Sequence, residues 1–142
     1  RNYEKWWIVK ERPDLSYQPG SDSLRFTDES LYMNFTFFYG CSDLEKEIDE
    51  TFKEWIELYR SNEIPYGYTV YETIIGDECP LLIFVYTASN AAEFFLHQQE
   101  IAQKLVYKEA KMMEKALKLC RKYEVHTGYY RPELTDWKNW GK

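Results

Sequence analysis

Three cysteines, two histidines and no excess of positive charge narrow the field before any motif is sought. Cys41, Cys79 and Cys120 stand far apart, so they form no CxxC pair and no zinc-binding spacing. Free buried thiols are the first expectation for them, and one disulfide with a spare thiol is the second. The net charge is −6, and no run of Lys or Arg exceeds two residues. A nucleic-acid partner calls for a positive footprint, and an anionic membrane surface attracts one too; this chain offers neither. No apolar run approaches the roughly 18 residues of a spanning helix. GxSxG, HExxH, Walker and GxGxxG patterns are all missing, so no nucleophile with its base announces itself. The chain begins at Arg1, without methionine or signal peptide, and the expectation is a soluble, processed or truncated product whose compartment is not legible.

What is present is apolar and aromatic. Of 142 residues, 44% are hydrophobic, and 13 Tyr, 8 Phe and 5 Trp exceed what a minimal core needs, so some belong to a groove, pocket or interface. The length suits one domain. Residues 6–9 read as a short strand halted before Pro13, and 16–28 have loop composition. Along 31–39, Leu31, Met33, Phe35, Phe37 and Tyr39 alternate with Tyr32, Asn34, Thr36 and Phe38, a pattern for a central strand covered on both faces.

Ser42-Asp43-Leu44-Glu45 has the form of a capping box, and Leu44, Ile48, Phe52, Trp55 and Tyr59 then mark one stripe of a helix. Its charge run over 45–50 predicts a solvated face with i,i+4 pairs such as Asp49 with Lys53. Pro65 closes the helical region. Residues 68–75 and 81–86 read as a hairpin about a turn at Gly76 to Pro80. Ser89 or Asn90 caps the next helix, whose stripe of Phe94, Ile101, Leu105, Met112, Ala116, Leu119 and Tyr123 weakens at Lys108-Glu109, where a kink or break is expected. Residues 125–130 form a last strand. From residue 31 the order is β-α-β-β-α-β, which predicts a ferredoxin-like α+β fold: an antiparallel sheet with its helices on one face.

The two ends match each other. Arg12-Pro13-Asp14-Leu15-Ser16-Tyr17 resembles Arg131-Pro132-Glu133-Leu134-Thr135-Asp136, and Tyr3-Glu4 and Tyr123-Glu124 precede them at similar distances. The reading is that residues 1–17 are the closing strand and tail of a preceding related unit, 18–30 a linker and 31–142 the ferredoxin-like domain.

With this order of elements the chain resembles the dimeric α+β barrel superfamily, which includes antibiotic-biosynthesis monooxygenases. The resemblance spans about residues 31–131. It rests on Phe35 to Gly40 entering a helix, Phe52-x-x-Trp55, Ile64-Pro65-x-Gly67 before the hairpin, and Ser89-Asn90-Ala91-Ala92-Glu93-Phe94 after it. It implies a barrel made by two sheets face to face, in a homodimer or between tandem repeats, and a cleft between sheet and helices in each half. Haem-degrading members use a strand Asn, a later strand Trp and a helical His. Asn34 and His97 stand in matching elements here, with Tyr86 in place of the Trp.

The candidate residues follow. Asn34, Tyr86 and His97 would position substrate and steer protons in a catalytic version. Tyr68, Tyr71 and Phe84, with Tyr66, would flank a small planar ligand, although core and interface roles account for most such aromatics. Glu93, His97 and Glu100 lie one helical turn apart and form the only candidate metal set, against the simpler expectation of no metal. His126 reads as a half-buried strand histidine. No cofactor is expected, with haem the alternative. The leading expectation is a non-catalytic or ligand-binding barrel module. The second is a cofactor-free or haem-related monooxygenase-like enzyme acting on a planar aromatic substrate.

Overall fold

A computed structural model describes residues 4–20, 32–76, 78 and 80–131. Five strands and three helices organise them: β1 (Trp7–Glu11), β2 (Tyr32–Gly40), α1 (Glu45–Ser61), β3 (Thr69–Gly76), β4 (Leu81–Ala88), α2 (Ala91–Leu105), α3 (Lys108–Leu117) and β5 (Cys120–Tyr129). The strands form one sheet in the order β1-β3-β4-β2-β5, antiparallel at every junction. From β2 onward this is the ferredoxin-like arrangement, with β2 and β4 inside. β1 extends the sheet along the outer edge of β3, so the N-terminal strand and the 31–142 unit share one sheet.

The register assigns each face. Tyr32, Asn34, Thr36 and Phe38 point to the helices, while Met33, Phe35 and Phe37 point away. β2 is therefore central, as its apolar run predicts, but only one of its faces is covered by the described residues. The covered face packs under α1, which buries Ile48, Thr51, Phe52, Trp55, Ile56 and Tyr59. Phe52 is the pivot, its ring 5.1 Å from Phe38 and 4.7 Å from Phe84. Fully burying one such aromatic is worth about 1.5–3 kcal/mol. Leu15 completes this core with no exposed surface, held there by a short 3-10 turn after β1. Next to it Tyr17 bridges to Tyr68 through both backbone groups, and its hydroxyl donates to the Ile64 carbonyl at 2.7 Å. A Cβ at Gly67 would run into the Tyr17 carbonyl, which is why the close approach uses glycine.

Several local expectations are corrected. Ser42 makes no capping bond to Glu45; Ser42–Leu44 is a 3-10 turn, and α1 starts only at Glu45. A side-chain cap occurs at α2 instead, where Asn90 Oδ1 accepts from the Glu93 amide at 2.9 Å and Glu93 Oε2 accepts from the amide of Ser89, one residue before the cap, at 2.6 Å. Asp49 pairs with Arg12 rather than Lys53, and the i,i+4 pair of the run is Lys46 with Glu50. The second helical stripe breaks at Val106 and Tyr107, just ahead of Lys108-Glu109, and it ends before Tyr123. β5 begins at Cys120 rather than 125, because residues from Cys120 onward find ladder partners all along β2. Cys41 and Cys120 are free thiols, but half-buried rather than buried; Cys79 lies outside the described residues. His126 is exposed on the uncovered face, against Phe37 and paired with Glu124. Residues 21–31, which include most of the linker, and 132–136 of the end repeat lie outside the described residues.

Candidate functional site

Between α1, α3 and the covered sheet face lies a cavity of about 60 Å³. The sheet contributes Thr36, Phe38, Tyr68, Phe84, Tyr86 and Tyr123, and the helices contribute Phe52, Trp55, Met113, Ala116 and Leu117. Local sequence explains each wall. Phe52 and Trp55 fall three apart on the buried side of α1, and Met113 and Ala116 three apart on α3. Thr36, Phe84 and Tyr86 share a face through the β2–β4 register.

The cavity is apolar but not inert. Trp55 is 6% exposed and Tyr68 1% exposed; the Trp55 indole lies against the Tyr59 hydroxyl, where its N–H favours the ionised form, and the Tyr68 hydroxyl makes no hydrogen bond to the described residues. Behind the cavity wall the Tyr59 hydroxyl donates to Glu109 Oε1 at 3.3 Å. Burial pushes the Glu109 carboxyl up, opposed by the Tyr59 hydrogen bond. Burial likewise raises the Tyr59 and Tyr68 hydroxyls, and raises Tyr86 well above the ordinary tyrosine value, with Tyr59 and Glu109 adding to the effect at Tyr86.

The residues singled out from sequence are divided among three places. Tyr68, Phe84 and Tyr86 line the cavity. Asn34 is buried on the same sheet face, paired in register with Tyr86 and Thr127 but outside the cavity wall. Tyr71 is on the opposite face, in a shallow apolar depression with Val9, Met33, Phe35, Phe37, Ile83 and Val85.

His97 belongs to a third place, the surface between α2 and the segment before β3. Its ring stacks on Tyr66 at 3.8 Å and 16°. The Tyr66 hydroxyl donates to Glu100 Oε2 at 2.5 Å, and that carboxylate holds the hydroxyl up at about 12. Glu93 serves the α2 cap, with His97 Nε2 3.6 Å from its other oxygen. The two carboxylates are thus committed to different partners, and no group of three metal-ligating side chains converges among the described residues.

Trp55, Tyr59 and Glu109 escaped the sequence reading. Trp55 and Tyr59 were legible only as core stripe. Glu109 does carry a signal: it falls in helical step with Met112 and Ala116, a carboxylate where an apolar residue is expected.

The fold and this cleft define a ferredoxin-like α+β protein. No protein-family model matches the chain, and no curated protein sequence matches it. Two solved structures share the fold. A dimeric ferredoxin-like protein from an uncultured marine organism matches with a TM-score of 0.55 and 15% identity, over 73% of this chain and 90% of that one. An anthrone oxidase-like protein matches with a TM-score of 0.57 and 10% identity over 81% of this chain; the chain spans about half of that protein's length (50%). At such identities the likeness is one of fold. No described helix is long and apolar enough to cross a membrane.

Proposed function

We propose that the protein is a small-ligand-binding α+β barrel module that pairs with a second copy through its uncovered sheet face. The observation that carries the pairing is the face itself. Val9, Met33, Phe35, Phe37, Ile83 and Val85 form a nearly continuous apolar surface on a sheet whose other side is already packed. A five-strand sheet of this length presents roughly 600 Å² in projection before side-chain relief, near the scale of about 800 Å² per partner in a stable interface. The similar protein described as dimeric supports this reading. The anthrone oxidase-like neighbour, whose chain is about twice as long as the matched part, is compatible with a tandem unit taking the place of the second copy.

Sedimentation velocity tests the pairing. The wild-type protein is expected to sediment as a dimer, and Phe35→Glu as a folded monomer with unchanged far-ultraviolet circular dichroism. A wild-type monomer overturns the homodimer.

A second reading is favoured by the cleft: an oxygenase-like enzyme acting on a planar aromatic substrate. Tyr86 and the Tyr59–Glu109 pair would then exchange a proton with substrate, as a carboxyl of raised pKa beside a hydroxyl suits proton transfer. Neither Asn34 nor His97 lines the cavity, so the enzyme reading is carried by Tyr86, which does, with the Tyr59–Glu109 pair behind it. Loss of turnover in Glu109→Gln, with folding intact, is its expected signature. Haem, the alternative cofactor, does not fit this cleft, whose cavity of about 60 Å³ is far below porphyrin size and leaves His97 outside, stacked on Tyr66; a haemin titration in which His97→Ala abolishes a saturable Soret band would place haem elsewhere on the protein.

A further inference from the structure

We infer that Asn34 is the polar contact of a ligand site on the helix-facing side of β2 and β5, where its amide takes the cis-amide edge of a neutral molecule, a lactam or a primary carboxamide. The inference rests on the ligand-binding reading above and gives it a place and a ligand chemistry.

The argument begins with a side chain that breaks the local rule. β2 is otherwise apolar, aromatic or Thr up to its closing glycine, and Asn is disfavoured in strands. Asn34 is nevertheless only 7% exposed, and its amide makes no hydrogen bond with the described residues. Buried amides are nearly always paired, and one left unpaired costs stability. Natural sequences keep such departures where function needs them. The Tyr68 hydroxyl is sealed from solvent, whereas the Asn34 amide retains accessible surface.

The register shows where that surface opens. Asn34 pairs with Tyr86 of β4 on one side and with Thr127 of β5 on the other, and paired residues share a face. Tyr86 is half-buried toward the core. Toward β5 the cover gives out. Thr127 is exposed, and its neighbours on the same side, Val125 and Tyr129, are 51% and 61% exposed. A molecule reaching Asn34 comes over β5, where Val125 and Tyr129 offer apolar surface to its body.

The chemistry follows from the amide itself. One side chain carries an N–H donor and a carbonyl acceptor at fixed spacing in one plane. Its complement is an acceptor and a donor side by side, which a cis-amide edge has. A ketone or ester answers only the donor and leaves the acceptor unpaired. Charge excludes an ion. The neighbours of Asn34 on this side, Tyr32, Thr36, Tyr86 and Thr127, carry no charge at neutral pH, and Lys122, Glu124 and His126 of β5 alternate onto the opposite face. An ion here would lose water without gaining a countercharge.

The test uses three probes on the ¹⁵N-labelled full chain: oxindole, N-methyloxindole, which keeps the acceptor without the donor, and indane, which has neither. The Asn34 side-chain NH₂ pair is assigned by its loss in Asn34→Thr. Oxindole is expected to move that pair in a saturable way. N-methyloxindole is expected to bind about tenfold more weakly, the size of one lost hydrogen bond, and indane more weakly still. Asn34→Val should weaken oxindole at least about tenfold while the melting temperature stays level or rises, because an unpaired amide gives way to a strand former.

Equal affinity for oxindole and N-methyloxindole would overturn the two-ended recognition and leave ligand binding standing. Undiminished oxindole binding in Asn34→Val would overturn the place and also leave ligand binding standing. Binding of none of the three probes would overturn both. A fall in melting temperature in both Asn34→Val and Asn34→Thr would make the amide a structural group and overturn the assignment. Sedimentation of the same samples reads the pairing separately.

Discussion

Arg12 shows how one side chain ties the N-terminal strand to the rest. Its guanidinium donates to Asp14 at 2.8 Å, to Asp49 of α1 at 3.0 Å and to Glu72 of β3 at 3.1 Å, with only 15% of the side chain exposed. The hydrogen bond from Arg12 holds the Asp14 carboxyl below its ordinary 3.8. A depressed carboxyl contributes stability that is present above the unfolded value and lost as pH falls through the native one. Urea titrations from neutral to acid pH should show that loss, and Arg12→Met should flatten it while costing on the order of 1–2 kcal/mol at neutral pH. Glu109 has the opposite sign. Its pKa is raised above 4.5, so its contribution is present below 4.5 and lost as pH rises through the native value. Glu109→Gln keeps an acceptor for Tyr59 and should remove that second dependence in the same titration, without touching the first.

At the scale of elements, the junction between α2 and α3 stores strain. Val106 sits at φ 53°, a conformation that β-branched residues avoid, and its side chain is 66% exposed, so no packing depends on it. Val106→Gly is expected to stabilise the protein by about 1 kcal/mol in urea denaturation, since the strain relieved outweighs the flexibility gained. A loss of stability would mean that the exposed valine makes a contact this strain serves. The same junction explains why one apolar stripe became two helices. Its spacing carries on through Met112 and Ala116, but periodicity records which face is buried and not whether the backbone is continuous. The capping box at Ser42 misled for a similar reason. Ser42-x-x-Glu45 has the right letters, yet the 3-10 turn there delays α1 until Glu45, while at α2 Asn90 accepts from the Glu93 amide and the Glu93 carboxylate accepts from the Ser89 amide.

For the whole molecule, one sheet serves two purposes: its covered face makes core and cleft, and its uncovered face, apolar from β1 to β2 and charged along β5, has no cover among the described residues. Dimerisation through that face is expected to respond weakly to salt. Its dissociation constant in sedimentation equilibrium should change by less than about threefold between low and high sodium chloride, because apolar contacts are not screened. A steep salt dependence would mean that the contact engages the β5 side of the same face, where Lys122, Glu124 and His126 pair with one another. The outer strands of the sheet are β1 and β5, and β1 lies along the edge of β3.

By itself the sequence determined the order of elements and the ferredoxin-like class. Hydrophobic period, glycine and proline punctuation and helix caps are local properties, written within a few residues of where they act. Tyr68, Phe84 and Tyr86 could be named as candidates because aromatic excess is also visible in composition. Only the tertiary structure decided that Tyr71 looks the other way, that His97 stacks on Tyr66 outside the cavity, and that Trp55, Tyr59 and Glu109 stand at or behind its wall. A strand's two faces differ by a single residue of register, and whether a buried donor has found an acceptor depends on segments distant in the chain. Those relations exist only once the sheet has paired and the helices have closed over it.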